Sequence, residues 1–291
     1  MFIDIHAHAY RKPVPPVNGR RWFSTPEQLL RRYEDLEIDK AVLLPLVSPE
    51  VYLPQSNDDI LEMAETWPDR FIPFCNVDPR ALTNSAEAPL GDLLRYYRDR
   101  GCKGIGEVMA NLPFLDPLVQ NLFGHVESVG WPLTFDIARR IGGTYGLYDE
   151  PGLPQLEASL QRFPGLIILG HGPGFWAEIA RLERPEDQDG YPDYPVEAEG
   201  AVPTLFRRYG NLYGDLSAHS GHNALARDEA YAASFLEEFQ DRLLFGTDIC
   251  AADQPAPLGS FLRGLRDAEK ISEEVLRKVA RENAIHLLDL R

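Results

Sequence analysis

The sequence predicts an α/β protein of the (β/α)8 TIM-barrel class. Two observations carry that reading. Eight short apolar runs alternate with eight amphipathic helical patterns, and several of the runs are apolar nearly throughout, as strands covered on both faces of a parallel sheet are. A third observation concerns the main rival, a doubly wound open sheet. Such a sheet normally follows its first strand with a glycine-rich phosphate turn, and the residues after strand one here, HAHAYRKPVPPVNG, do not fit one. The 291 residues are read as one barrel domain, 1–291.

The elements follow in order. Strand one is FIDIHAH (2–8). Its helix, TPEQLLRRYEDLEID, has Thr25 as cap, Pro26 in the first turn and Gln28 to complete a capping box. Strand two, KAVLLPLV (40–47), leads to NDDILEMAETW behind Ser56. Strand three, RFIPFCNV (70–77), leads to LGDLLRYYRDRG, which Gly101 stops. Strand four, KGIGEVM (103–109), leads to DPLVQNLFGHVESVG, which Gly130 stops in the same way. Strand five, PLTFDIA (132–138), leads to LPQLEASLQRF. Strand six, LIILGHG (166–172), is followed by an acidic stretch rich in proline and glycine, ERPEDQDGYPDYPVEAEGAVP (183–203), read as an insertion or lid or else as a solvated connection. PTLFRRYG then precedes strand seven, NLYGDLSA (211–218), and ASFLEEFQD precedes strand eight, RLLFGTDIC (242–250). SEEVLRKVARENAIHLLDL closes the barrel as a helix.

The chain carries 29 basic and 45 acidic residues, a net charge of −16, which excludes the clustered cations of a nucleic-acid or anionic-membrane surface. Its apolar and charged fractions, 44% and 25%, are those of a soluble globular protein. Cys75, Cys102 and Cys250 are far apart and form no CxxC, so neither a disulfide framework nor a structural zinc site is expected. No leader segment and no apolar run long enough to span a bilayer are seen, and reduced thiols then fit a cytoplasmic protein.

In such a barrel the reactive groups collect at the C-terminal strand ends. Strand one ends in His6 and His8, two residues apart and so on one side of a strand. Strand four ends in Glu107, strand five in Asp136, strand six in His171 and strand eight in Asp248; strand seven carries Asp215, with His219 and His222 in the loop after it. Imidazoles and carboxylates converging on one rim suit a divalent cation. Each has a bland alternative: Glu107 and Asp248 as caps, Asp136 as a partner of Arg139 or Arg140, His171 as a turn residue. His125 and His286 fall in helices and are read as structural. Cys250 has no base beside it and is not read as a nucleophile.

The ordered set DIHAHAY, KGIGE, GWPLTFDIA, IILGHGPG, NLYGDLSA, FGTDIC and the tail ENAIHLLDL resembles the amidohydrolase superfamily, in particular the amidohydrolase-related (amidohydrolase 2) metal-dependent hydrolases, which include several non-oxidative decarboxylases. The resemblance spans the whole chain. It implies that His6 and His8 bind a metal, that Asp248 binds it and takes a proton from its water, and that His171 polarises or protonates the substrate. It also implies that Glu107 is a ligand able to bridge two ions. Strand five usually ends in a histidine ligand in this family; Asp136 stands there instead, either as an oxygen ligand or to orient a neighbour.

The expected cofactor is one or two divalent ions, zinc first, with manganese as an alternative. The expected reaction is hydrolysis of a C–O or C–N bond in a small ester, lactone or amide. The alternatives are a decarboxylase of a small aromatic or unsaturated acid and a catalytically silent metal- or ligand-binding barrel. Arg139, with Arg140 beside it, and His219 are candidate substrate contacts. The partners expected are a small-molecule substrate and, by family analogy, further copies of the chain.

Overall fold

The computed structural model describes residues 1–51 and 53–290. The eight runs all form strands: Phe2–Ala7, Ile38–Leu43, Phe71–Pro73, Ile105–Val108, Pro132–Phe135, Ile167–Gly170, Leu212–Asp215 and Leu243–Leu244. Each pairs in parallel with the next, except that strands three and four meet only through the bridge between Cys75 and Ile105. The ring closes where Ala7 bridges Ile249 and the Ile5 amide donates to Phe245 O at 3.0 Å. The fold is a TIM barrel, and the first and last strands are neighbours in it.

Two apolar layers hold the barrel. Ile3, Ile5, Val42, Leu44, Ile72, Phe74, Leu169 and Leu244, drawn from five strands, pack together with Ala284 and Leu288 of the last helix. A larger cluster fills the space between strands and surrounding helices, where Phe114, Phe123, Phe135, Phe175 and Trp176 are buried. Such packed layers make the strands a rigid base for the groups at their ends.

Helix signals read from the sequence survive with shifted bounds. Gln28 Oε1 accepts from the Thr25 amide at 2.9 Å, and Ser56 Oγ from the Asp59 amide at 3.1 Å. Gly130 ends Pro117–Val129 in the left-handed region. The final helix is three pieces, Glu273–Arg277, a π turn at Lys278–Glu282 and Asn283–Leu288. Val279 O accepts from Phe245 of strand eight at 2.9 Å, a tertiary bond that interrupts the α pattern there.

Three features depart from the sequence reading. A short parallel pair, Ile137–Ala138 with Leu147–Tyr148, extends strand five outward. Strand seven stops at Asp215, and Ala218–Ala226 is a helix, so His219 and His222 are helical rather than loop residues. Ala218, at φ 63°, turns the chain sharply between the two. The stretch after strand six is a closed loop over residues 183–200. The Arg181 amide donates to Ala198 O at 2.9 Å and the Gly200 amide to Ile179 O at 3.1 Å, and the helix Ala201–Arg208 follows directly. Among the described residues no helix is long and apolar enough to cross a membrane.

Candidate metal centre

Strand one supplies the imidazole pair. Its pairing with strand two shifts register between Asp4 and Ala7, the kind of irregularity that re-aims side chains at a strand end. His6 then reaches residues of strands four and seven, so its ring lies inside the barrel mouth. His6 Nε2 and His8 Nε2 stand 3.1 Å apart. Glu107 Oε2 lies 3.5 Å from the first and 3.6 Å from the second. Asp248 Oδ1 lies 3.6 Å and 3.3 Å from the same two atoms. Two donors about 2.1 Å from one cation sit roughly 3.0–3.4 Å apart at square to tetrahedral angles; the separations here, 3.1–3.6 Å, begin in that range and run slightly past it.

The protons on the rings follow from their other contacts. His8 Nδ1 is 2.9 Å from Leu44 O, which can only accept, so Nδ1 carries a hydrogen. His6 Nδ1 is 2.6 Å from Asp215 Oδ2. Burial opposes ionisation of Asp215, but the charges of His6 and His171 hold it below the usual carboxylate range, so it too accepts. In their neutral forms both Nε2 atoms therefore turn bare lone pairs toward each other and toward two carboxylate oxygens. Four acceptors with no donor among them call for a cation or for protons.

The electrostatics say the same. Burial pushes the His6 imidazole down, yet Asp215, Asp248 and Glu107 together raise it well above its usual value. Burial likewise opposes charging of His8, and Asp248 and Glu107 still bring it up to about 9. Glu107 is disfavoured by burial but held well below the carboxylate range by hydrogen bonds and charge from His6 and His8. Asp136 goes the other way: burial, then the charge of Glu107, raise it well above the usual range. His171 is lowered by burial and by the charge of His6. The carboxylates around the two imidazoles of strand one thus favour positive charge at this point. Two nitrogens and two carboxylate oxygens suit a borderline divalent ion better than calcium, and the only thiol nearby, Cys250 Sγ at 4.0 Å from Asp248 Oδ1, is pushed well up by burial and stays protonated.

Glu107 faces two ways. Its Oε2 serves the pair above, while Oε1 lies 3.8 Å from His171 Nε2. Glu107, Asp136 and His171 offer atoms within 4.8 Å of one another, a second group beside that of His6, His8 and Asp248. Gly172 permits this second group: at φ 84°, a Cβ there would stand 2.0 Å from Asp136 Oδ1. His171 Nδ1 is 3.0 Å from Ser217 Oγ and 3.4 Å from Asp215 Oδ2. Asp248 itself sits in the left-handed region at φ 50°.

The structure thus brings His6, His8, Glu107, Asp136, His171 and Asp248 together. It does not bring Arg139 to Asp136: Arg139 Nε pairs with Asp189 of the loop 183–200 at 3.0 Å, and Arg140 is exposed. His219 lies against the same loop, its ring 4.7 Å from that of Tyr191. His125 is structural, with Nε2 3.2 Å from Ala88 O, and His286 lies in the last helix. Two residues were missed as supports. Asp215, noted only as a strand-end carboxylate, orients His6. Asp4 accepts from the amides of His6 and Thr247, the Thr247 hydroxyl and the Tyr33 hydroxyl, at 3.0, 2.9, 2.5 and 2.7 Å. A charged residue inside an apolar strand was the available signal for Asp4.

The family model described as Amidohydrolase matches residues 3–290. No curated protein matches the chain. Among solved structures, an uncharacterized TIM-barrel protein from Bordetella bronchiseptica is 17% identical, with a TM-score of 0.66 over 99% of this chain and 98% of its own. A probable 2-pyrone-4,6-dicarboxylic acid hydrolase from Acinetobacter baumannii is 15% identical, TM-score 0.61, over 99% of both chains. A 2,6-dihydroxybenzoate decarboxylase from Rhizobium is 19% identical, TM-score 0.58, over 99% and 98%. At these identities the likeness is one of fold.

Proposed function

Because the chain belongs to the amidohydrolase family, we propose that it is a metal-dependent hydrolase that adds water to a small ester, lactone or amide. One observation carries the reading: His6 Nε2, His8 Nε2, Glu107 Oε2 and Asp248 Oδ1 converge, with the two carboxylate oxygens 3.3–3.6 Å from the two nitrogens, while both Nδ1 atoms are engaged elsewhere. These four residues would hold one divalent ion, zinc by their donor chemistry. Glu107, Asp136 and His171 would hold a second where two are taken up. When bound, such an ion supplies Lewis acidity that brings the pKa of water to roughly 7 and polarises a carbonyl.

The protein's own groups do the rest. Asp248 is the general base: its carboxylate, the more exposed of those in the cluster, takes the proton of the attacking water and returns it to the leaving oxygen or nitrogen. Where one ion is held, His171, with its Nδ1 accepting from the Ser217 hydroxyl, donates from Nε2 to the carbonyl oxygen as negative charge gathers on it. Asp215 fixes the His6 ring, and Leu44 O fixes that of His8.

Elemental analysis of the purified protein tests the metal: one or two ions per chain are expected. The Asp248→Asn variant tests the base. A folded variant that keeps wild-type turnover after metal removal would overturn the reading. A second reading, non-oxidative decarboxylation, draws on the decarboxylase among the neighbours of this fold. Metal-loaded protein offered 2-pyrone-4,6-dicarboxylate and 2,6-dihydroxybenzoate separates the two: hydrolytic ring opening of the first supports the hydrolase, CO2 release from the second the decarboxylase.

A further inference from the structure

The loop between the short strands Ile137–Ala138 and Leu147–Tyr148, residues 139–146, is clasped at its base by one side chain. Asn111 is buried. Its Nδ2 donates to Arg140 O at the start of the loop and to Gly146 O at its end, both at 3.1 Å, and its Oδ1 accepts from the Gly142 amide at 2.5 Å. The clasp is anchored in turn. The Asn111 amide donates to Glu50 Oε1 at 3.2 Å, and Arg80 donates to both oxygens of Glu50 at 2.9 Å. The loops after strands two, three, four and five are thus tied together.

Tyr145 rides on this loop beside the metal centre. The Gly146 amide donates to Met109 O, two residues beyond Glu107, and the Leu147 amide to Asp136 O, both at 2.8 Å. Glycine permits that close approach: at φ 99°, a Cβ on Gly146 would stand 3.0 Å from Asp136 O. Tyr145 is 46% exposed, and its hydroxyl has no hydrogen-bond partner among the described residues. The charges that push its phenol up are those of the centre: Asp136 first, ahead of burial, then Glu107 and Asp248. The hydroxyl therefore faces these carboxylates, keeps its proton and is open to solvent. Carboxylates offer no hydrogen to a carbonyl compound, whose oxygens only accept; a phenol does.

We propose that Tyr145 is a substrate-binding residue: its hydroxyl, positioned by the Asn111 clasp, donates a hydrogen bond to an oxygen of the substrate bound at the metal centre. This role rests on the metal-centre reading above. Asn111 is the positioning residue. It closes both ends of the loop, so the phenol is presented at one place and little order has to be gained when substrate arrives.

The test uses zinc-loaded full-length protein and acetohydroxamate, a small ligand that chelates zinc through two oxygens and so stands in for the hydrated carbonyl. Zinc content is measured by elemental analysis and affinity by calorimetry. Tyr145→Phe removes only the hydroxyl. It is expected to hold as much zinc as wild type, to melt within about 2 °C of it, and to bind acetohydroxamate about tenfold more weakly. Asn111→Ala is expected to weaken the probe in the wild-type background but no further in Tyr145→Phe, because both changes remove one interaction. Equal affinity in Tyr145→Phe and wild type overturns the proposal, and additive losses in the double variant overturn the role of the clasp. A wild type that holds zinc but takes up no acetohydroxamate overturns the proposal while the metal reading stands. A wild type that binds no zinc removes both.

Discussion

The seam between strands one and eight and the loop side after strands six and seven treat buried polarity in opposite ways. Along the seam, Asp4 is fully buried and accepts four hydrogen bonds, and both imidazoles above it have their Nδ1 atoms engaged. On the loop side, Gln188, His222 and Arg227 keep buried polar atoms without partners. The strand-end cluster is therefore held by hydrogen bonds within the fold, whereas the region after strands six and seven leaves buried polar atoms unmet.

The largest test of this contrast is Asp248→Asn. Loss of the proposed general base is expected to lower kcat by about 10²–10⁴-fold with circular dichroism unchanged. Asp4→Ala comes next. It strips four donors of their acceptor and is expected to cost roughly 3–5 kcal/mol in denaturant unfolding, whereas Gln188→Met on the loop side, which removes two unmet polar atoms, is expected to stabilise. Similar losses in both variants would erase the difference between the regions. Asp215→Asn is a milder probe of the seam: with His6 less firmly oriented, metal affinity should fall about 10–100-fold in a competitive chelator titration while the fold is retained.

A pH series sharpens the comparison. Burial raises Asp4 from the usual 3.8 up to about 6, against the hydrogen bonds from Thr247, Tyr33 and the His6 amide that lower it. The folded protein therefore binds a proton there that the unfolded chain has already released. Its contribution is fullest below about pH 4 and is lost as pH climbs to about 6, a change of about 3 kcal/mol. Asp4→Asn should remove that decline from the unfolding free energy measured across the interval. The smallest effect belongs to the loop 183–200: Asp189→Asn breaks a half-exposed pair with Arg139 and should change stability by less than about 1 kcal/mol.

The barrel was readable because each strand–helix unit carries its own local signals, such as the apolar run LIILG or the stop at Gly130. The candidate site was readable at the six strand-end residues for the same reason: position along a strand implies position on the rim. Partnerships between distant segments were not. Nothing near Asp215 announces that it grips a ring 209 residues earlier, and nothing in FIDIH says which groups saturate Asp4. The helix at Ala218–Ala226 was hidden because AHSGHNALA has weak apolar periodicity and a glycine at its centre. Arg139 looked free in the sequence because its partner, Asp189, lies in a stretch whose path no periodicity fixes.

Closure of the ring between Ala7 and Ile249 has a consequence for biosynthesis. Asp4 and Thr247 are 243 residues apart, so the imidazole pair emerges from the ribosome long before the strand that completes its surroundings. An unfinished polypeptide lacks Asp248 and the seam that steadies His6, and cannot enclose an ion as the finished molecule can. An ion site built from these residues would be complete only once strand eight has been made.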